Sequence, residues 1–247
     1  MAISILGTAT AQAESIWDGL YRHDIAEKRL WRPRRQWVAR DEAGFGLIIQ
    51  AVAKRFLDIF GSVLLLVFFS PVLLLIAAVI RLTSPGPALF KQDRLGRGCR
   101  KFTMYKFRTM EMDAEKKLTQ LYARNEMDAI LFKMKRDPRT TPVGRILRRL
   151  SLDELPQLYN VLKGEMSLVG PRPPVEREVR MYTRTVRRRL DAVPGMTGFW
   201  QVSGRSTLPA RRGFALDVLY VRKWSLALDL LILLRTIPAV LFGRGAF

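Results

Sequence analysis

Ile59-Phe60-Gly61-Ser62-Val63-Leu64-Leu65-Leu66-Val67-Phe68-Phe69-Ser70-Pro71-Val72-Leu73-Leu74-Leu75-Ile76-Ala77-Ala78-Val79-Ile80 carries no charge, is interrupted at its middle by Ser-Pro, and has basic residues crowded against both ends. At about 1.5 Å per helical residue this run matches a bilayer core of about 30 Å, so an ordinary transmembrane helix is one reading. Pro71 opposes it. Proline has no amide hydrogen, and its ring crowds the carbonyl of Val67, so it kinks or breaks the helix where no water can replace the lost bond. Each half is then too short to span, and the Ser70 hydroxyl is placed to satisfy a freed carbonyl at the bend. Arg40, Lys54 and Arg55 precede the run, with Arg29, Arg32, Arg34 and Arg35 further upstream, and Arg81, Lys91, Arg94 and Arg97 follow it. Because Lys and Arg near a span favour the cytoplasm, both ends claim the same side. A bent hairpin satisfies both; a proline-kinked span is the alternative.

Composition narrows the partners. The chain has 247 residues and a formal net charge of +20, enough length for one ordinary domain plus a membrane element. Such a balance calls for nucleic acid, anionic headgroups or phosphorylated small molecules. Beside a membrane segment the last two are favoured, since each juxtamembrane Lys or Arg gains about 1 kcal/mol from an anionic leaflet. A single cysteine, Cys99, excludes an internal disulfide framework and fits a reducing compartment. No cleavable signal peptide is expected, because Met1 to Ala13 lacks a basic start and a long apolar stretch.

His23 is the only histidine, so a Ser-His or Cys-His nucleophile pair is disfavoured and a multi-histidine zinc site is excluded. There is no phosphate-binding G-x-x-x-x-G-K-[ST] loop, no G-x-G-x-x-G and no Asp-x-Asp. Carboxylates must carry any chemistry.

Working outward from the apolar run, residues 1–47 form a basic arm with a short helix expected from Ala11 to Lys28. Thr83-Ser84-Pro85-Gly86-Pro87 is a break, and Ala88 to Met110 reads as a hairpin turning at Gly96-Arg97-Gly98. Glu111 to Lys135 has helical spacing. Thr141-Pro142 starts a basic amphipathic helix with Val143, Ile146, Leu147 and Leu150 on one face and Arg145, Arg148 and Arg149 away from it. Trp224 to Phe242 is apolar but interrupted by Asp229, Arg235 and Pro238, so it reads as an interfacial or core helix rather than a second span.

The most chemically suggestive segment is Ser151-Leu152-Asp153-Glu154-Leu155-Pro156-Gln157. Its S-x-x-E spacing permits a capping box, a purely structural role that Pro156 weakens by sitting just inside the helix such a box would start. Alternatively, arginines nearby keep Asp153 ionised for attack at phosphorus, while Glu154 holds Mg²⁺, a hard cation that bridges carboxylate and phosphate oxygens. Gly170-Pro171-Arg172-Pro173 fixes the backbone on both sides of Arg172, either as a plain turn or to present its planar fork to a phosphate.

Ser70-Pro71, Lys106-Phe107-Arg108-Thr109-Met110, the Ser151–Gln157 segment, Gly170–Pro173 and Gly195-Met196-Thr197-Gly198-Phe199-Trp200-Gln201-Val202-Ser203-Gly204-Arg205, in that order, resemble the bacterial monotopic phosphoglycosyl transferases. The likeness runs from about Ala53 to Phe247 and is strongest to the exopolysaccharide-initiating branch. It implies a mainly α (α+β) monotopic membrane protein with a Ser-Pro-broken re-entrant helix, amphipathic interfacial helices and a small β-hairpin. The division would be a basic arm (1–47), a re-entrant hairpin (48–82) and a cytoplasmic catalytic domain on the membrane surface (83–247). The implied reaction passes a sugar-1-phosphate from a UDP-sugar, UDP-galactose or UDP-glucose, to undecaprenyl phosphate at the inner membrane. Asp153 would be the nucleophile, Glu154 the Mg²⁺ ligand and Arg172 a phosphate ligand, with Lys106 and Arg108 in the same surroundings. Asp217 falls at a functional acidic position of the family, with a core salt bridge as its alternative. Anionic lipids are expected partners, nucleic acid is not, and self-association is left open. A non-enzymatic membrane scaffold would explain the charge and the apolar run, but would not need Asp153 and Glu154 together.

Overall fold

The computed structural model describes residues 45–121, 134 and 137–242. The arm helix expected at Ala11–Lys28, and most of the helix expected to end at Lys135, lie outside them.

Helix α1 (Phe45–Thr83) holds the whole apolar run. The Ser-Pro pair removes one rung of its hydrogen-bond ladder without ending the helix, so of the kink or break that the sequence predicts the break does not occur. The local compensation is as expected: Ser70 Oγ donates to the Val67 carbonyl at 2.8 Å. Phe56, Phe60, Leu64, Val67, Phe68, Leu74, Leu75 and Leu82 are all more than half exposed. An apolar surface of that extent has no place in water. Among the described residues α1 is the one helix long and apolar enough to cross a membrane.

The hairpin forms as expected, β1 (Leu89–Leu95) pairing antiparallel with β2 (Lys101–Phe107) through a 3₁₀ turn at Arg97–Cys99. Period-2 alternation turns Phe102, Met104 and Lys106 to one face of β2, and the two apolar members of that row are buried. Buried Asn160 closes the free edge: its Nδ2 donates to the Thr103 carbonyl at 2.8 Å, and its Oδ1 accepts from the Tyr105 amide at 3.2 Å.

After α2 (Ala114–Leu121), the Thr141 hydroxyl caps α3 (Pro142–Arg149), accepting from the Gly144 amide at 3.0 Å. The expected apolar face is only partly realised. Leu147 is buried and Ile146 and Leu150 are exposed, while Arg148 turns inward to Thr109 Oγ1 at 3.0 Å. A Cβ on Gly144 would lie 2.1 Å from the Thr109 carbonyl oxygen, so only glycine lets α3 sit this close to the strand exit.

A 3₁₀ turn (Leu152–Glu154) leads into α4 (Gln157–Lys163), β3 (Ser167–Val169), α5 (Glu176–Arg180) and α6 (Arg184–Arg187). Then follow β4 (Gly195–Thr197), parallel to β3, and α7 (Phe199–Ser203), α8 (Ala210–Arg222) and α9 (Leu226–Leu241). α9 is the helix expected near the C terminus. The main core joins Leu158, Val161, Met166, Val169, Phe214, Leu219 and Ile232, with Leu65 and Leu66 of α1 packed against it. A second cluster joins Ile76 and Ile80 of α1 to Phe107 and Leu147. Both sides of Pro71 therefore rest on the same body.

Candidate active site

Asp153 and Glu154 sit on the short 3₁₀ turn between those two clusters. Leu152 packs into the cluster of Ile76, Ile80, Phe107 and Leu147, and Leu155 into the main core. The turn is anchored at both ends by apolar side chains, which leaves its carboxylates to face a cavity of about 1260 Å³. There is no capping box: Ser151 makes no capping bond and adopts a left-handed backbone, φ 55°. The Pro156 expected to oppose that helix instead precedes α4 directly.

Lys106 extends from the inward row of β2 and donates from Nζ to Glu154 Oε1 at 2.7 Å. Burial disfavours the Glu154 anion, but Lys106, Arg205 and Arg172 outweigh it and hold the carboxyl below its ordinary range. Asp153 behaves oppositely. Burial, with the Glu154 charge beside it, pushes its carboxyl up against the pull of Lys106 and Arg148. The cations near Asp153 favour its anion as expected, but desolvation, a quantity that a linear charge pattern does not contain, works against them.

Arg172 lies on a loop whose four successive carbonyls are all occupied. The Pro171 carbonyl accepts from the Gly195 amide at 2.9 Å, Arg172 from Arg189 Nη2 at 3.2 Å, Pro173 from Arg94 Nη1 at 2.9 Å and Pro174 from the Leu95 amide at 2.9 Å. Three of these four residues are prolines, with fixed φ and no amide hydrogen, so external donors set the loop's position. The Arg172 fork opens to the cavity and pairs on its other side with Glu178, 3.1 Å away.

Two expected residues are committed elsewhere. Arg108 donates to the Ser84 carbonyl at 2.9 Å, to Ser84 Oγ at 2.8 Å and to the Pro85 carbonyl, which ties the exit of α1 to the end of the hairpin. Its guanidinium lines the cavity wall, but those two nitrogens are already used. Asp217 does not line the cavity; it is fully buried in an ion pair with Arg189, the core alternative. Through Arg189 it reaches the Arg172 carbonyl and so acts on loop position.

Sequence reading missed Arg205, Arg148 and Arg94. Arg205 closes the Gly195–Arg205 motif; it has φ 52° and donates to Ser151 Oγ at 3.2 Å. Two non-glycine residues in left-handed backbone, touching each other beside the carboxylates, mark strain of about 1 kcal/mol or more each that the surrounding structure must hold. Burial and the neighbouring Arg172 both penalise the Arg94 charge, with Glu178 and Glu154 in partial compensation. The motif order pointed to Arg205, but nothing in the chain pattern marked Arg148 or Arg94.

Among the described residues no three His, Cys, Asp or Glu side chains converge as a metal cage. Mg²⁺ does not require one: it is ordinarily held by one or two carboxylates, with water and substrate phosphates filling the shell. Adjacent hard-oxygen donors, with the Glu154 side chain 38 % exposed toward the cavity, fit that donor set.

Residues 49–243 match the pattern of the bacterial sugar transferases. The chain is 43 % identical over 224 residues to a galactosyl transferase, CpsE, of Streptococcus agalactiae, covering 90 % of this chain and 50 % of that relative. It is 41 % identical over 211 residues to the exopolysaccharide production protein ExoY of Rhizobium meliloti, covering 84 % of this chain and 93 % of ExoY. An undecaprenyl-phosphate galactose phosphotransferase of Salmonella typhimurium is 44 % identical over 201 residues, which is 78 % of this chain and 41 % of that relative. The chain therefore spans about half or less of two of these relatives and nearly all of the third. With every ordered motif but Ser70-Pro71 contributing to the wall of one cavity and the match running through most of its length, the chain belongs to the bacterial sugar transferase family.

Proposed function

We propose that the protein transfers a sugar-1-phosphate from a UDP-sugar, UDP-galactose or UDP-glucose, to undecaprenyl phosphate, the first step in building an exopolysaccharide or a related glycoconjugate. The observation that carries this reading is a carboxylate pair held at the wall of a cavity, with Lys106, Arg172, Arg148 and Arg205 around it. Such cations suit a diphosphate, whose charge they neutralise without doing covalent chemistry themselves.

An oxygen of the Asp153 carboxylate attacks the phosphorus that bears the sugar. The bond from that phosphorus to the bridging oxygen breaks, and UMP leaves with the electron pair. A phosphate oxygen of the lipid then attacks the same phosphorus, and the Asp153 carboxylate departs. Glu154, with Asp153 beside it, would hold Mg²⁺, which when bound supplies charge neutralisation at the diphosphate. Lys106 and Arg205 hold the Glu154 carboxylate in its anionic form, and Arg172 positions phosphate from its braced loop.

The re-entrant topology at the cytoplasmic face of the inner membrane belongs to this proposal. Its support is that residues on both sides of Pro71 pack on the same body, as a helix that returns to its face of entry requires. Exposed Ile146 on α3 and Leu150 just after it, and Leu230, Leu234, Ile237 and Leu241 on α9, suit helices lying in the interface among anionic lipids.

Incubation with UDP-sugar and Mg²⁺, without lipid phosphate, is expected to add one sugar-phosphate mass to the peptide containing Asp153. Asp153→Asn abolishes both the adduct and turnover. A folded Asp153→Asn variant that keeps most of its turnover would overturn the covalent step.

A further inference from the structure

Three successive residues at the end of β2 reach three different places. Lys106 meets Glu154 Oε1 at 2.7 Å. Phe107, on the opposite face, packs with Ile76 and Ile80 from the second half of α1. The Arg108 amide donates to the Ala88 carbonyl at 2.8 Å, which continues the hairpin by one residue and returns Arg108 to the face of Lys106. Arg108 is 6 % exposed, and its guanidinium serves three oxygens on the two residues that directly follow α1. These are the Ser84 carbonyl at 2.9 Å, Ser84 Oγ at 2.8 Å and the Pro85 carbonyl.

Gly86 makes room for this grip. Its φ of +110° disfavours a side chain, and a Cβ there would lie 2.5 Å from Arg108 Nη1 and 2.6 Å from Met112 Sδ. The turn-rich break after α1 is therefore a docked buckle between that helix and the end of the hairpin. The cluster that takes Phe107 also takes Leu152, the residue before Asp153. The second half of α1, with its buckle, thus holds the immediate neighbours of both Lys106 and the carboxylate pair.

We infer that Arg108 is a positioning residue: by fastening the end of β2 to the exit of α1, it sets where Lys106 meets Glu154. Lysine carries its ammonium on a flexible four-carbon stem, so the strand must deliver its Cα to the right place. With both terminal nitrogens engaged by protein oxygens, Arg108 acts through the strand rather than on a phosphate. The inference rests on the proposed phosphosugar transfer for the importance of Glu154, but the contact it concerns is readable without turnover.

A water-soluble carbodiimide joins an amine to a carboxylate where the two meet, with loss of water. Mass spectrometry of the Lys106–Glu154 crosslinked peptides therefore reports the contact directly. Arg108→Met removes the donors, whereas Gly86→Ala keeps every charge and pushes the guanidinium off its acceptors. In the folded fraction, both are expected to lower the crosslink yield about threefold or more. Arg81→Met, which removes an exposed cation at the same end of α1, should leave the yield unchanged. Donor kcat/KM, from UMP release, should fall about tenfold in Arg108→Met. In a Lys106→Met background the same substitution should cost less than about twofold, because the residue it acts through is gone. An undiminished crosslink in both Arg108→Met and Gly86→Ala would overturn the inference. Losses that multiply in the double variant would overturn it too, since Arg108 would then act on substrate independently of Lys106. Absence of the Asp153 adduct in the unaltered protein sinks the proposed function, while the crosslink still decides the role of Arg108.

Discussion

Arg172 shows how little a charged residue does until its backbone is fixed. Its loop has three prolines that cannot donate, so position comes from outside: a strand amide at Gly195, the buried Arg189 held by Asp217, and Arg94 with Leu95 from β1. Close backbone approach is part of the same device. A Cβ on Gly195 would lie 2.0 Å from the Gly170 amide nitrogen, so β4 can brace this loop only with glycine there. A guanidinium so placed offers two parallel donors to one phosphate, and a lysine at the same Cα offers a point charge on a flexible stem. Arg172→Lys, which keeps the charge, is therefore expected to lower donor kcat/KM by about tenfold or more, the worth of roughly one charge-assisted hydrogen bond. Initial rates of UMP release at low UDP-sugar check this, and a wild-type value would reduce Arg172 to a partner of Glu178. The fixed backbone around Arg172 was legible from the Pro-Arg-Pro spacing. Its dependence on Arg189 was not, because the two meet only when β3 and β4 bring their flanking segments together.

At the scale of elements, α1 decides topology. Its ladder lacks the one bond that Pro71 cannot make, and Ser70 offers the Val67 carbonyl a substitute at 2.8 Å. The helix can bend there at low cost, since the carbonyl is satisfied in either shape. Pro71→Ala restores the amide donor and favours a straight helix, which would carry its N-terminal end away from the body. In a Cys99→Ser background, Phe45→Cys and Phe90→Cys are both expected to resist an impermeant thiol reagent in intact cells, and Pro71→Ala is expected to expose position 45. Labelling at position 45 with Pro71 intact would favour a true span. The hairpin, the Thr141 cap and the C-terminal helix were all legible, because each rests on local rules: alternation, a capping hydroxyl, a hydrophobic stretch. The inward turn of Arg148 and the strained Ser151 were not. Both answer to neighbours distant in sequence, Thr109 in one case and Arg205 in the other.

Across the whole molecule, the first and last described helices are joined by a charge pair that local rules could not reveal. Lys54 of α1 donates to Asp229 of α9 at 2.7 Å and to the Val169 carbonyl at 3.0 Å. Asp229 also accepts from Tyr220 Oη at 2.7 Å and from Trp224 Nε1 at 3.0 Å. Nearby, Asp58 accepts from the Leu168 amide and from Ser167 Oγ, each at 2.9 Å. These contacts grip β3, the strand that runs directly into the Arg172 loop, so α1 and that loop share one support. In sequence, Asp229 reads as an interruption of an apolar helix; in the fold, it is the counter-charge that makes the helix part of the body. The Asp229 side chain is 1 % exposed and that of Lys54 17 %, so Lys54→Met strands a buried carboxylate and is expected to cost about 3 kcal/mol. For a chain of this size that corresponds to a fall of roughly 6–12 °C in the thermal midpoint, read in detergent micelles by loss of the folded fraction. Adding Asp229→Asn to Lys54→Met removes the stranded charge while keeping groups for Tyr220 and Trp224 to bond, and should recover more than half of the loss. By contrast Lys101→Met, which breaks an exposed pair with Glu176, should leave the midpoint almost unchanged. A double variant that loses the sum of the two single losses would mean that Lys54 and Asp229 stabilise the fold independently, and that α1 is joined to the body without help from this pair.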